Sequence, residues 1–252
     1  MSEPKTNTPE EREDEKPLEG WVQLPILRGV FEIEPILNLL DIHGGRIIGG
    51  YARFCCSERD EPRKAQDCDL FPTGATDEEC QKVYDALKAA LLSAGLTVKA
   101  ENNMSVTFDA EKAPAFKRCP TIQIIKPVEE GAVLTRGSVE DILANFDFTV
   151  VRCALNSDRR TATAWASFPK DELHMKLRIL NIHCPISSLL RVMKYARKGY
   201  YMRPVEALKL FNDWEQRSPE YRARMNELFT TGQFGKITKE EIDELEKLMR
   251  ID

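Results

Sequence analysis

The sequence predicts an α+β chain, a mixed-sheet half followed by a helical half, and three observations carry that reading. Between Arg46 and Phe168, short alternating or β-branched runs recur, bounded by clusters of Gly, Asn, Asp and Ser. From Pro169 onward the apolar spacing lengthens from two to about 3.6, the period of a helix face. Ahead of Trp21 there are almost no apolar side chains. The expected organisation is an acidic, disordered leader over residues 1–20, an α/β domain over 21–168 and a helical domain over 169–252.

The elements follow in order. Residues 33–40 predict a short helix with Pro35 in its first turn, broken at His43-Gly44-Gly45. Arg46 to Ile48 is a short strand, and Gly49-Gly50 permits a sharp turn into a helix over 51–56. Residues 57–66 form a polar loop, and Asp67 to Phe71 a strand. Thr76 opens a long helix from Asp77 to about Ala94, with Gly95 as its C-cap. Strands are expected over 97–100, 105–108 and 121–125. Ser138 and Asp141 give a capping-box start to a helix ending near Asn145. Residues 146–155 read as the strongest strand of the chain. A turn at 156–158 leads to its expected hairpin partner, 161–168. Five helices are expected beyond, over 170–182, 185–200, 205–217, 219–229 and 238–249, punctuated by Pro185, Pro204, Pro219, Gly232 and Gly235.

Composition narrows the class. At 252 residues, with 42% hydrophobic and 31% charged side chains, the chain can bury a sizeable core and is neither fibrous nor wholly disordered. No run approaches the roughly 18 apolar residues of a membrane span, and the first residues lack the apolar core of a secretory signal. Seven cysteines without a C-x-x-C spacing argue against a disulfide framework or a structural zinc site. A reducing, cytoplasmic setting is expected. The net charge is −5. Residues 1–20 hold seven acids and three bases, so the other 232 residues carry only −1.

Two places concentrate charge where chemistry needs it. Asp67 and Asp69 stand two apart on a strand, so both carboxylates leave the same face. Acids that close repel unless a cation lies between them, and a hard divalent ion is held by one or two carboxylates plus phosphates. The plain alternative is a polar strand edge. Asp147 sits between Phe146 and Phe148, where an unpaired carboxylate would be costly to bury. It reads either as a third metal ligand or as a cap on the preceding helix. Gly49 and Gly50 would leave backbone N–H groups bare for a phosphate.

Between Arg191 and Arg203 there are five bases and no acid. On the helix over 185–200, Arg191, Lys194 and Lys198 share a face opposite Ile186, Leu189, Met193 and Ala196. They could meet a triphosphate, a nucleic-acid backbone or only solvent. Tyr200 and Tyr201 could stack on a base, though core or surface packing is the expected reading. His43, His174 and His183 are too scattered for a metal site, and buried free thiols are the expected state of Cys55, Cys56 and Cys153.

Three segments in order, G-G-Y-A-R from Gly49, D-C-D-L-F from Asp67 and F-D-F-T-V-V-R-C-A from Phe146, resemble the nucleotidyltransferases of the DNA polymerase β superfamily. The nearest patterns are the head domains of tRNA CCA-adding enzymes and bacterial poly(A) polymerases. The resemblance spans residues 45–155. It implies a two-metal reaction with Mg²⁺ or Mn²⁺, in which a hydroxyl, an RNA 3′ end above all, attacks the α-phosphate of an NTP and pyrophosphate leaves. It implies Asp67 and Asp69 as metal ligands and Asp147 as the third acid or a contact to the nucleotide sugar. Gly49 and Gly50 would lie along the triphosphate, and Arg53 would steady that region or touch phosphate. The bases of the later helix would close the nucleotide site.

This chain departs from the CCA pattern at Phe54, where an Asp follows the arginine, and at Asn145-Phe146, where paired arginines precede D-F-T. It also lacks an E-D-x-x-R segment. An outlying member, such as those of viral and phage genomes, fits better; its setting would be the host cytoplasm. Transfer to a protein or small molecule, and an inactive scaffold on the same fold, are the alternative readings.

Overall fold

A computed structural model describes residues 18–59, 67–110, 113–119, 121–127, 129–130 and 133–230. Residues 1–17 of the expected leader, 60–66 of the polar loop and the expected helix over 238–249 lie outside the described residues.

The chain enters through β1 (Trp21–Pro25) and α1 (Glu34–His43), then β2 (Arg46–Ile47) and α2 (Gly50–Cys56). After β3 (Asp67–Phe71) comes the long α3 (Asp77–Ser93), whose start is fixed by a capping box between Thr76 and Glu79. The strands β4 (Thr97–Glu101), β5 (Ser105–Asp109) and β6 (Thr121–Ile125) complete a five-stranded sheet of order β2-β3-β6-β5-β4. Only β3 and β6 run parallel within it.

Alternation decides what each face of this sheet does. Cys68 and Leu70 of β3, Ile122 and Ile124 of β6, and Val106 and Phe108 of β5 are buried against Leu87 and Leu91 of α3 and Leu37 and Leu40 of α1. Each fully buried side chain of this size contributes about 1.5–3 kcal/mol. Asp67 and Asp69 therefore leave by the opposite face, with Gln123 of β6 in register with Asp69.

A small hairpin, β7 (Glu129–Glu130) and β8 (Val133–Leu134), leads to α4 (Val139–Ala144), started by the Ser138–Asp141 capping box. Then β9 (Cys153–Leu155) and β10 (Thr161–Trp165) join β1 in a second, antiparallel sheet of order β1-β10-β9. An isolated bridge between Ile48 and Ala154 stitches the two sheets at their edges. Helix α2 packs on both β3 and β9. The remaining elements are α5 (Phe168–Leu173), β11 (Lys176–Leu177), α6 (Pro185–Ala196), β12 (Tyr201–Met202), α7 (Pro204–Gln216) and α8 (Pro219–Thr230).

Two expected elements are corrected. Residues 146–155 are not one strand: Thr149–Val151 is a 3₁₀ turn, and only Cys153–Leu155 is extended. Phe148, Thr149, Val150 and Val151 are consecutively buried. The turn wraps Phe148, Val150 and Val151 into a second apolar cluster with Leu177, Ile179, Tyr195 and Tyr200, while the Thr149 hydroxyl donates to Asp171 at 2.8 Å. Nor do residues 170–182 form one helix. It ends at Leu173, Met175 takes a left-handed φ of 55°, and β11 then pairs in parallel with β12. Arg178 turns back onto Asp171, at 3.0 Å. The C-terminal region is thus helical around a short parallel ladder. Among the described residues, no helix is long and apolar enough to cross a membrane.

Candidate active site

A cavity of about 450 Å³ lies between the acid-bearing face of the larger sheet and α6. Its floor carries Asp67 and Asp69. The far wall carries Arg191, Lys194 and Lys198, and the end of the β2–α2 connection brings Gly49 and Gly50. Eight of the nine residues singled out from the sequence, Asp147 included, line this one space.

Asp69 is the electrostatic centre. Its Oδ1 is buried and accepts no hydrogen bond among the described residues. Burial and then the neighbouring Asp67 push its carboxyl up to about 7, while Lys194 and Arg191 pull it back. Two carboxylates so arranged, one with a bare buried oxygen, form the hard-oxygen donor set that suits a divalent cation. The fit is to these two acids.

Asp147 has partners of its own. Its Oδ1 accepts from Arg191 Nη1 at 3.0 Å and from the Phe148 amide at 3.1 Å, and its Oδ2 accepts from Ser188 Oγ at 3.1 Å. No three His, Cys, Asp or Glu side chains converge to hold a metal ion among the described residues. Asp147 lines the same cavity as the two acids, and its carboxylate is met there by a guanidinium and a hydroxyl.

The two glycines differ. Gly49 has φ of 87°, a Cβ there would meet Phe146 at 3.3 Å, and its amide donates to the Cys153 carbonyl. Its freedom serves the turn, and its N–H is not offered to the cavity. Gly50 faces open space, where no atom would meet an added Cβ.

Arg53 is the one expected residue that does not line the cavity. It is 1% exposed, pairs with Glu172 at 3.0 Å and donates to Tyr200 Oη at 2.6 Å. Of the two expected roles, these contacts match the steadying one: Arg53 ties α2 to α5 and to the chain after α6.

Sequence reasoning missed Ser188, Gln123, Ser105, His183 and Asn145, all on the cavity wall. Ser188 had a usable signal, since it lies three residues before Arg191 and so on the same helix face. Gln123 and Ser105 reach the wall only through strand pairing.

No family model matches the chain, and no curated protein matches it by sequence. Solved structures do. The CCA-adding enzyme of Thermotoga maritima, complexed with tRNA, aligns over 77% of this chain and 46% of its own, at 11% identity and a TM-score of 0.53. A tRNA nucleotidyltransferase complexed with a primer tRNA and an incoming ATP analog aligns over 85% and 60%, at 16% identity and a TM-score of 0.47. The CCA-adding enzyme of Bacillus stearothermophilus in complex with CTP aligns over 69% and 41%, at 16% and 0.45. This chain spans 46% of the Thermotoga enzyme's length. At 11% identity the likeness is one of fold: the chain has the α+β nucleotidyltransferase fold found in CCA-adding enzymes.

Proposed function

We propose that the chain is a metal-dependent nucleotidyltransferase that moves a nucleoside monophosphate from an NTP to a hydroxyl acceptor, with an RNA 3′ end as the favoured acceptor. The observation that carries this reading is the bare, buried Asp69 oxygen beside Asp67, facing three bases across one cavity. Asp67 and Asp69 would hold Mg²⁺ or Mn²⁺. When bound, such an ion supplies charge neutralisation for the attacking and leaving oxygens.

The chain's own groups do the rest. Arg191, Lys194 and Lys198 bind the triphosphate and stabilise the charge that grows on departing pyrophosphate. Gly50, with no side chain, lets the phosphates pass close to the backbone. Gln123, level with Asp69 on the adjacent strand, lines the same cavity with its amide nitrogen donating to Thr107 Oγ1 at 3.1 Å. The Thermotoga maritima structure, solved with tRNA, supports RNA as a partner class by analogy of fold.

The test is incubation with each labelled NTP, Mg²⁺ and total cellular RNA or protein. Label should enter one fraction, and Asp69→Asn or Asp67→Asn should abolish it without loss of thermal stability, since one like charge is removed. Equal transfer by parent and variant would refute the site. A second reading, a nucleotide-binding module without transfer, draws on the engaged state of Asp147, which leaves two acids rather than three. That reading expects Mg²⁺ and NTP to raise the melting temperature with no label transferred to any fraction.

A further inference from the structure

We infer that Asp147 is a positioning residue for Arg191: it aims the guanidinium into the cavity for a polyphosphate and holds no cation itself. The inference rests on the nucleotide-site reading above and names the device that shapes that site.

Asp147 is pinned from both sides. Its carbonyl accepts from the Leu180 amide at 2.8 Å, the Thr149 amide donates to the Arg178 carbonyl, and Phe148 bridges to Ile179. The carboxylate therefore projects from a rigid segment. On α6, Ser188 and Arg191 lie one turn apart and take its two oxygens. Phe148, next in the chain, meets the ring of Tyr195 edge-on, one turn further along α6. The segment thus engages three successive turns of the helix and sets its rotation toward the cavity.

The exposures assign the pair to function more than to stability. Asp147 is 3% exposed and Ser188 2%, while the Arg191 side chain is 53% exposed and lines the cavity. An ion pair with one half in solvent contributes little to stability. Burying the carboxylate costs desolvation that an apolar residue between Phe146 and Phe148 would avoid. Asp147 engages one nitrogen of a guanidinium that has five N–H donors. A cation at Asp147 would have to displace that guanidinium, and Arg152 lies near as a second positive charge. In metal sites, groups that orient a ligating side chain typically change affinity by about 10–100-fold when removed, and an effect at the low end of that range is expected for a guanidinium oriented in the same way.

The experiment is titration calorimetry with inorganic tripolyphosphate, in EDTA and again in Mg²⁺, on parent, Arg191→Gln, Asp147→Asn and the double variant. If Asp147 acts through Arg191, each single variant weakens binding by about tenfold, and the double is no weaker. The loss is present in EDTA, and Asp147→Glu restores part of it. Unchanged affinity in Asp147→Asn, beside a loss in Arg191→Gln, would overturn the inference, as would a loss seen only with Mg²⁺. A parent that binds no tripolyphosphate in either buffer would overturn the nucleotide site as well, which separates the two failures. Should Asp147→Asn not fold, Ser188→Ala removes a single bond to the same carboxylate. A severalfold loss there supports the inference and unchanged binding refutes it.

Discussion

Arg53 on α2 and Arg191 on α6 each meet a carboxylate at 3.0 Å, Glu172 for the first and Asp147 for the second. Beyond that distance the two sites diverge. Arg53 is 1% exposed, and Glu172, 3% exposed, also accepts from Ser57 and Tyr200, so both charges of that pair are enclosed. Arg191 leaves half its side chain in the open beside Asp69 and Lys194. One arginine is consumed by its surroundings and the other is presented by them. A sequence motif names the residue type, while the enclosure decides whether the charge holds a fold or meets a ligand.

The comparison can be broken most forcefully at Glu172. Glu172→Ala strands the Arg53 charge in the interior and should cost about 3–5 kcal/mol in urea unfolding. A cost below about 1 kcal/mol would mean that the enclosed cluster is not structural. Gly49, at the turn before Arg53, tests the neighbouring backbone. Gly49→Ala forces a side chain into a conformation reserved for glycine and against Phe146, so a loss of about 1–3 kcal/mol is expected. Parent-like melting would show the turn to be adaptable.

A smaller effect belongs to the approach toward Asp147. Ser138→Ala removes the cap of α4 and should lower stability by about 0.5–2 kcal/mol, read by the same unfolding curve. Comparable or smaller is Arg191→Gln, which takes one partner from the buried Asp147 carboxylate but leaves it the Ser188 hydroxyl and the Phe148 amide, so a cost of about 1 kcal/mol is expected. Its polyphosphate affinity should nonetheless fall. If stability fell as far as with Glu172→Ala, the contrast between the two arginines would collapse.

The larger sheet was legible because its strands alternate and its helices carry their own start signals. Asp67 to Phe71, Thr121 to Ile125 and the Thr76 cap needed only local reading. Residues 146–155 were not, since an apolar β-branched run serves equally for a strand and for a buried 3₁₀ turn. The break after Leu173 was hidden for a related reason: β11 exists only through its pairing with Tyr201–Met202, some two dozen residues later. The same limit governs the site. Asp67, Asp69 and the basic face of α6 are patterns within one element, so they could be read directly. That Asp147 faces Ser188 and Arg191, and that Arg53 faces Glu172, are long-range facts that no spacing encodes.

The strand β1 pairs along its whole length with β10, Trp21 opposite Trp165 and Pro25 opposite Thr161. Those partners are about 140 residues apart in the chain, as the Gln23–Thr163 side-chain bond also records. Closing so long a loop carries its entropy cost before any contact returns it. On a ribosome adding roughly 5–20 residues per second, β1 emerges on the order of ten seconds before β10 exists to receive it. The second sheet is therefore a late event in biosynthesis. The five-stranded sheet, complete by Ile125, can form while β1 still waits.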